Sequence, residues 1–179
     1  WVAYYLSPPF EEAEKARRED EPVVRKVELL NLASGEKRSW DEAASFGFSK
    51  GSSHLMVRKN RPEAEGRGRG EGPRGTDLIL RNLREGYEEL IGSVDEAAFN
   101  KPGSFLAYTV DAADQDGNGL YLVNLATGAR RALDNAKERY AELTWSEEGE
   151  ALAVLRGETP EGKTERVNAL LAFTGLGSG

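Results

Sequence analysis

The chain has 179 residues, a formal charge of −7 and no cysteine. Charged residues make up 31% and hydrophobic ones 39%, enough apolar material for one sizeable core or several small repeat units in a water-soluble chain. The negative balance argues against a general nucleic-acid binder. The missing cysteines exclude a disulfide framework and a thiolate-held metal. No run approaches the roughly 18 apolar residues of a membrane-spanning helix.

The chain opens on Trp1-Val2-Ala3-Tyr4-Tyr5, with neither an initiator Met nor the basic start of a signal peptide. It begins mid-strand, which implies a piece of something longer. Trp1 to Leu6 is aromatic and β-prone until Ser7-Pro8-Pro9 stops it. Phe10 to Glu21 is a charged segment, either a helical turn or mobile. Val27 to Leu32 reads as a strand, Ala33 to Gly35 as a tight turn and Glu36 to Trp40 as a polar strand. Phe46 to Ser49 starts the next strand, Lys50-Gly51-Ser52 turns, and His54 to Arg58 returns.

Asn60 to Thr76 is a low-complexity insertion of Glu, Arg, Pro and Gly. The strand pattern then restarts with Asp77–Leu83, Glu88–Gly92, Glu96–Phe99 and Phe105–Asp111. Past the turn-rich Ala112–Asn118 come Gly119–Leu125, Ala129–Leu133, Ala141–Trp145 and Ala151–Arg156. A polar loop, Gly157–Arg166, leads into the last apolar run.

Two phrases recur along this order. Asn31-Leu32-Ala33-Ser34-Gly35 returns as Asn82-Leu83-Arg84-Glu85-Gly86 and as Asn124-Leu125-Ala126-Thr127-Gly128, with a worn copy at Leu171–Gly175. The four glycines lie 51, 42 and 47 residues apart. The second phrase joins an aromatic-ended strand to the next one at Phe48-Ser49-Lys50-Gly51, Phe99-Asn100-Lys101-Pro102-Gly103 and Trp145-Ser146-Glu147-Glu148-Gly149. Units of forty-odd residues holding four short strands each are the sign of propeller blades. The expected fold is all-β, a partial β-propeller of about three to four four-stranded antiparallel blades. Residues 41–92 and 93–134 form whole blades in this reading, and 1–40 and 135–179 incomplete ones. The inserts at Pro8–Val23, Asn60–Thr76, Ala112–Asn118 and Gly157–Arg166 all fall between second and third strands, so they decorate one face.

Three motifs invite chemistry. Gly47-Phe48-Ser49-Lys50-Gly51 matches G-x-S-x-G, but a nucleophile elbow needs a strand turning into a helix and a later His. Ser49 sits at a repeat turn instead, and His54 is the only histidine. Asp114-Gln115-Asp116-Gly117-Asn118-Gly119 copies half of a calcium loop, yet Leu125 stands where the bidentate Glu belongs. Asp114, Asp116 and Asn118 therefore read as a hairpin connection, with weak calcium binding left open. Gly66-Arg67-Gly68-Arg69-Gly70 lacks the strand–helix frame of a dinucleotide loop. Acidic neighbours dilute its charge, so it reads as a solvated insertion. The expectation is no catalytic residue, no cofactor, no metal site, no nucleic acid and no membrane. Trp40 and Trp145 read as blade packing.

With these units laid out, the sequence resembles the N-terminal β-propeller of the prolyl oligopeptidase family of serine peptidases, in particular bacterial acylaminoacyl- or dipeptidyl-peptidase-like members. Gly75–Leu83, the Phe48–Gly51 turn, Phe105–Val110 and Arg166–Leu171 carry the likeness. The resemblance implies a propeller that caps an α/β-hydrolase domain of the same parent chain and restricts its substrates to peptides, in a periplasmic or secreted protein. That family's catalytic Ser, Asp and His lie in the hydrolase domain, and no position here matches them. The alternative is a non-enzymatic periplasmic binding propeller of the Tol-translocation type. Either way, an open arc is expected to self-associate through its unpaired edges.

Overall fold

The computed structural model describes residues 1–20, 23–61, 72–158 and 167–177. Strands β1 (Val2–Leu6), β2 (Lys26–Leu30) and β3 (Lys37–Trp40) make one antiparallel sheet in that order. A seven-stranded antiparallel sheet follows, also in chain order: β4 (Ala43–Phe48), β5 (His54–Lys59), β6 (Thr76–Asn82), β7 (Glu88–Phe99), β8 (Phe105–Val110), β9 (Gly119–Asn124) and β10 (Arg130–Asn135). A third sheet holds β11 (Tyr140–Trp145), β12 (Leu152–Glu158) and β13 (Val167–Phe173). The architecture is the expected all-β partial propeller.

The seven-stranded sheet comes from β7, which replaces the two separate strands expected at Glu88–Gly92 and Glu96–Phe99. Its first half pairs with β6 (Leu78 opposite Ile91) and its second with β8 (Ala98 opposite Ala107). The outer strand of one four-stranded unit thus runs into the inner strand of the next. Ser93 marks the passage, at φ 57°, where the ladder shifts register. Phe10 to Arg18 forms a helix, α1, after Pro8-Pro9. Glu11 and Glu12 stand in its first turn and Lys15, Arg17 and Arg18 in its last, each sign matching the helix dipole. None of its residues is buried, so it decorates the core without building it.

The Asn-Leu phrase forms the same turn three times. The side-chain oxygen of Asn31 accepts the N–H groups of Ala33 and Ser34 at 3.0 and 3.3 Å. Asn82 takes those of Arg84 and Glu85, and Asn124 those of Ala126 and Thr127. Gly35, Gly86 and Gly128 close the turns at φ 71–79°, a region that costs an L side chain steric strain. The fourth copy is displaced. The residue following Phe173, which faces Leu152, is the counterpart of Asn82 and Asn124. Gly175 therefore turns the chain too early to match Gly35, and Leu176 takes the place of Leu83 and Leu125.

Three apolar layers hold the successive units face to face, the second of them between the two halves of the seven-stranded sheet. Val27, Leu29 and Trp40 pack against Leu55, Val57, Ile79 and Leu83. Leu78, Leu80, Ile91 and Val94 meet Leu106, Tyr108, Val123 and Leu125. Ala107, Leu120 and Leu122 meet Tyr140, Leu152, Val154 and Leu176. Burying each such leucine stabilises the fold by roughly 1.5–3 kcal/mol.

Polar clamps at the layer edges fix the stacking. Trp145 donates its indole N–H to the Ala98 carbonyl at 3.0 Å, and the Glu96 carboxylate accepts the N–H groups of Glu142 and Leu143 where β11 bulges. Glu88 accepts from Arg38, from the Trp40 indole and from Arg81, the last at 2.8 Å. Both tryptophans thus serve the packing between sheets. Burial alone pushes the Glu88 carboxyl up, but the hydrogen bonds from Arg38, Trp40 and Arg81 outweigh it and hold the group below its ordinary value. A lowered folded value means that the Glu88 contribution is complete above the unfolded carboxylate pKa of about 4.3 and fades as pH falls through the folded one. Glu88→Gln should therefore lower the urea midpoint clearly at pH 7 and much less at pH 3. An equal loss at both pH values would contradict this assignment.

Candidate functional site

The described ends of the connections between second and third strands lie at one end of the sheets, as antiparallel pairing requires. A cleft of about 420 Å³ opens there, lined by Arg74, Asp111, Gln115, Asn118, Lys137 and Arg139 together with small residues. Its walls come from the connections β5–β6, β8–β9 and β10–β11. A shallower depression of about 360 Å³ lies on the same end between α1 and the β3–β4 link.

Backbone contacts build the cleft floor. Asp111, at the end of β8, donates its N–H to the Ser93 carbonyl at 2.9 Å. Its own carbonyl accepts the Gly75 N–H at 3.2 Å, and its carboxylate accepts the Arg74 N–H at 2.8 Å. Three chain segments meet so closely that a Cβ on Gly75 would lie 2.3 Å from the Ser93 carbonyl oxygen. The conformation of Gly75 needs no positive φ; the lack of a side chain is what the junction demands. Arg61 also donates to the Pro73 carbonyl, tying together the two described ends of the Asn60–Thr76 insertion.

Charges of both signs line the rim. Arg139 binds the Asp95 carboxylate through two nitrogens at 3.2 and 3.3 Å. Lys137 pairs with Asp116 at 2.7 Å. Asn118, almost wholly buried, accepts the Ala112 N–H at 2.7 Å and directs its amide toward the carbonyls of Lys137 and Glu138 at 3.5 and 3.4 Å. In the half calcium loop Asn118 thus braces the loop's own backbone, and Asp116 pairs with Lys137. Among the described residues no group of three His, Asp or Glu stands together as a metal site. Asp111, Arg74 and Arg139 were not singled out by the sequence. Each is one polar residue at the end of an ordinary strand or loop, and only tertiary packing brings them together.

Ser49 stands where the repeat places it. It is 2% exposed, and its hydroxyl accepts the His54 N–H at 2.9 Å across the turn. Asn100 does the same with Gly103, Ser104 and Phe105, and Ser146 with Ala151. The Ser53 hydroxyl bridges Ser49 and the ring Nδ1 of His54 at 3.0 and 3.1 Å. Burial pushes the His54 imidazole below its usual pKa, against the opposing charge of Glu85. The G-x-S-x-G stretch thus forms a hairpin turn here, with Ser49 buried and engaged in it. The Gly66–Gly70 stretch lies outside the described residues.

Neither a family model nor any curated protein matches the sequence. Solved structures do match in shape. The β-propeller domain of the Trilobed protease from Pyrococcus furiosus superposes with a TM-score of 0.56 at 9% identity, over 96% of this chain and 50% of that one. The tricorn protease matches at 0.52 and 8% identity, over 84% and 16%. Hydrazine synthase of Kuenenia stuttgartiensis matches at 0.50 and 10%, over 83% and 45%. The chain spans half or less of each of these proteins. At such identities the likeness establishes the propeller fold alone, and its recurrence in a hydrazine synthase shows how little that fold says about chemistry.

The Gly75 junction yields a direct check. Gly75→Ala should lose more than about 2 kcal/mol in urea unfolding, because backbone atoms cannot yield as a flexible side chain can. Gly117→Ala, whose Cβ meets nothing within 4 Å, should stay within about 0.5 kcal/mol of the parent. Equal stability of the two variants would refute the close three-segment contact.

Proposed function

We propose that this chain is the substrate-gating propeller portion of a prolyl-oligopeptidase-type serine peptidase. It is itself non-catalytic, and the α/β-hydrolase domain lies elsewhere in the parent protein. Blades over 1–40, 41–92, 93–134 and 135–179, the first and last incomplete, belong to this reading. The observation that carries it is the ordered set of sequence phrases from Phe48 to Leu171 resembling that family, laid out on a propeller whose connections between second and third strands leave from one end. The two protease structures of similar shape support it.

Mechanistically, a rigid stack of sheets excludes folded proteins by size, while an extended peptide passes or docks at the insert-bearing end. The cleft presents the Asp111 carboxylate, the cations of Arg74, Lys137 and Arg139, and amide groups, a mixture that suits a peptide main chain with its termini. The hydrolase domain would face this end, in a periplasmic or secreted protein. Taken alone, the chain would also self-associate through its open sheets.

The reading is tested on a longer product of the parent gene. That product should carry G-x-S-x-G followed by a late His and should hydrolyse aminoacyl- or dipeptidyl-chromogenic substrates, while the 179-residue chain turns over none. A longer product without that motif and without turnover favours a periplasmic scaffold propeller. Turnover by the short chain that disappears in Ser49→Ala would sink both readings.

A further inference from the structure

The cleft around Asp111 is lined by three cations and one carboxylate, and their partners are unevenly shared. Arg139 binds Asp95 and Lys137 pairs with Asp116, and neither of those acids lines the cleft. Arg74 differs. Its backbone N–H is held by Asp111 Oδ2 at 2.8 Å, but its guanidinium has no hydrogen bond or ion pair among the described residues. Asp111 is only 8% exposed, and no side-chain cation pairs with it among the described residues. Its other oxygen, Oδ1, accepts no hydrogen bond there and is not sealed from solvent, so the cleft offers an open acceptor beside an open cation.

A nearly buried carboxylate with an open oxygen calls for an N–H donor, since leaving such a group unmatched is costly. A lone guanidinium calls for a carboxylate, with which it forms its strongest hydrogen bonds. The last residue of a peptide carries both complements on one Cα: an amide N–H and a terminal carboxylate. Inorganic phosphate fits less well, because at neutral pH it would set up to two negative charges beside Asp111. A free amino acid fits less well too, because its ammonium would add a fourth positive charge to the lining. The cleft volume of about 420 Å³ lies within the roughly 300–1,000 Å³ of small-ligand sites, a size for the end of a peptide and not for a folded domain.

We propose that this cleft captures the C-terminal residue of a peptide, its carboxylate on Arg74 and its amide N–H on Asp111 Oδ1. Capture of a terminal carboxylate is a recurring mode of peptide recognition. The inference rests on the reading of the cleft as a peptide site and names the end of the peptide that enters it. Gln115 and Asn118 line the same cleft, but Asn118 is engaged with the backbone of its own loop, so the charge selection falls to Arg74.

The test is isothermal titration calorimetry of the 179-residue chain with N-acetylated tetra-alanine, as the free acid and as the C-terminal amide, and with free alanine. The acid should bind roughly tenfold more tightly than the amide, the worth of one charge-assisted pair. Arg74→Gln should bring the acid down to the level of the amide and leave the amide unchanged. Arg131→Gln, an equal charge change on β10 outside the cleft, should alter neither. Circular dichroism confirms the parent fold of both variants. Acid and amide bound alike overturn the proposal while leaving peptide docking intact. An acid preference that survives Arg74→Gln, or that Arg131→Gln removes equally, also overturns it. So does free alanine bound as tightly as the acid, and so does an acid that fails to bind up to the millimolar range. None of these outcomes decides the peptidase reading, which stands or falls on turnover by the longer product.

Discussion

The structure depends on one repeated contact: a leucine just past the third strand, seated on the turn that opens its own unit. The Leu83 N–H bonds to the Ser53 carbonyl, that of Leu125 to Ser104 and that of Leu176 to Glu150, at 2.9 to 3.0 Å. Each bond ties the inner and outer turns of a unit at one end while the leucine side chain enters the layer shared with the unit before. The turns themselves stack. A Cβ on Gly103 would lie 2.6 Å from the Lys50 carbonyl oxygen, and one on Gly149 2.6 Å from Pro102. Local turn geometry and stacking between units are thus the same constraint seen from two sides, as expected of a repeat protein whose stability is shared between units and their interfaces.

This division of labour leaves the other end free. Short, repeated turns with asparagine and serine caps occupy the end that must be uniform for the units to stack. Connections of unequal length and composition leave from the opposite end, where nothing requires uniformity. The cleft around Asp111 forms there because three segments meet at a glycine, and its polar groups are held by backbone contacts and ion pairs outside the repeated turns. Variation concentrated on loops over a regular scaffold is the usual way for one fold to serve many partners.

The repeats were legible because they carry their own chemistry. Asn31, Asn82 and Asn124 announce turns with an acceptor side chain and a glycine four residues on, and the structure forms all three. The register of Ser49 with Asn100 and Ser146 places it in a repeat turn, and the structure forms that turn at all three positions. The fourth copy misled, because Gly175 lies at the right spacing but one residue past the true counterpart of Asn82. β7 was read as two strands because Gly92-Ser93 resembles a break, whereas the chain only bulges there and pairs on. The helix at Phe10–Arg18 is hard to tell from a mobile segment in the sequence, since its few apolar residues are small or exposed among many charges and none becomes buried. Glu88, Glu96 and Asp111 carried no signal at all: each binds partners dozens of residues away, and a lone acid in a strand looks like any solvated one.

The central claim is that position in the repeat, rather than residue type, decides what each Asn-Leu leucine does. The same truncation at three equivalent sites tests it, read as the change in unfolding free energy from urea melts. Leu83→Ala and Leu125→Ala should each cost about 2–5 kcal/mol, the range for emptying a packed site. Leu32→Ala, measured on this chain, should cost less than about 0.5 kcal/mol, because its side chain is exposed. A loss at Leu32 equal to that at Leu83 would contradict the register on which the whole account rests.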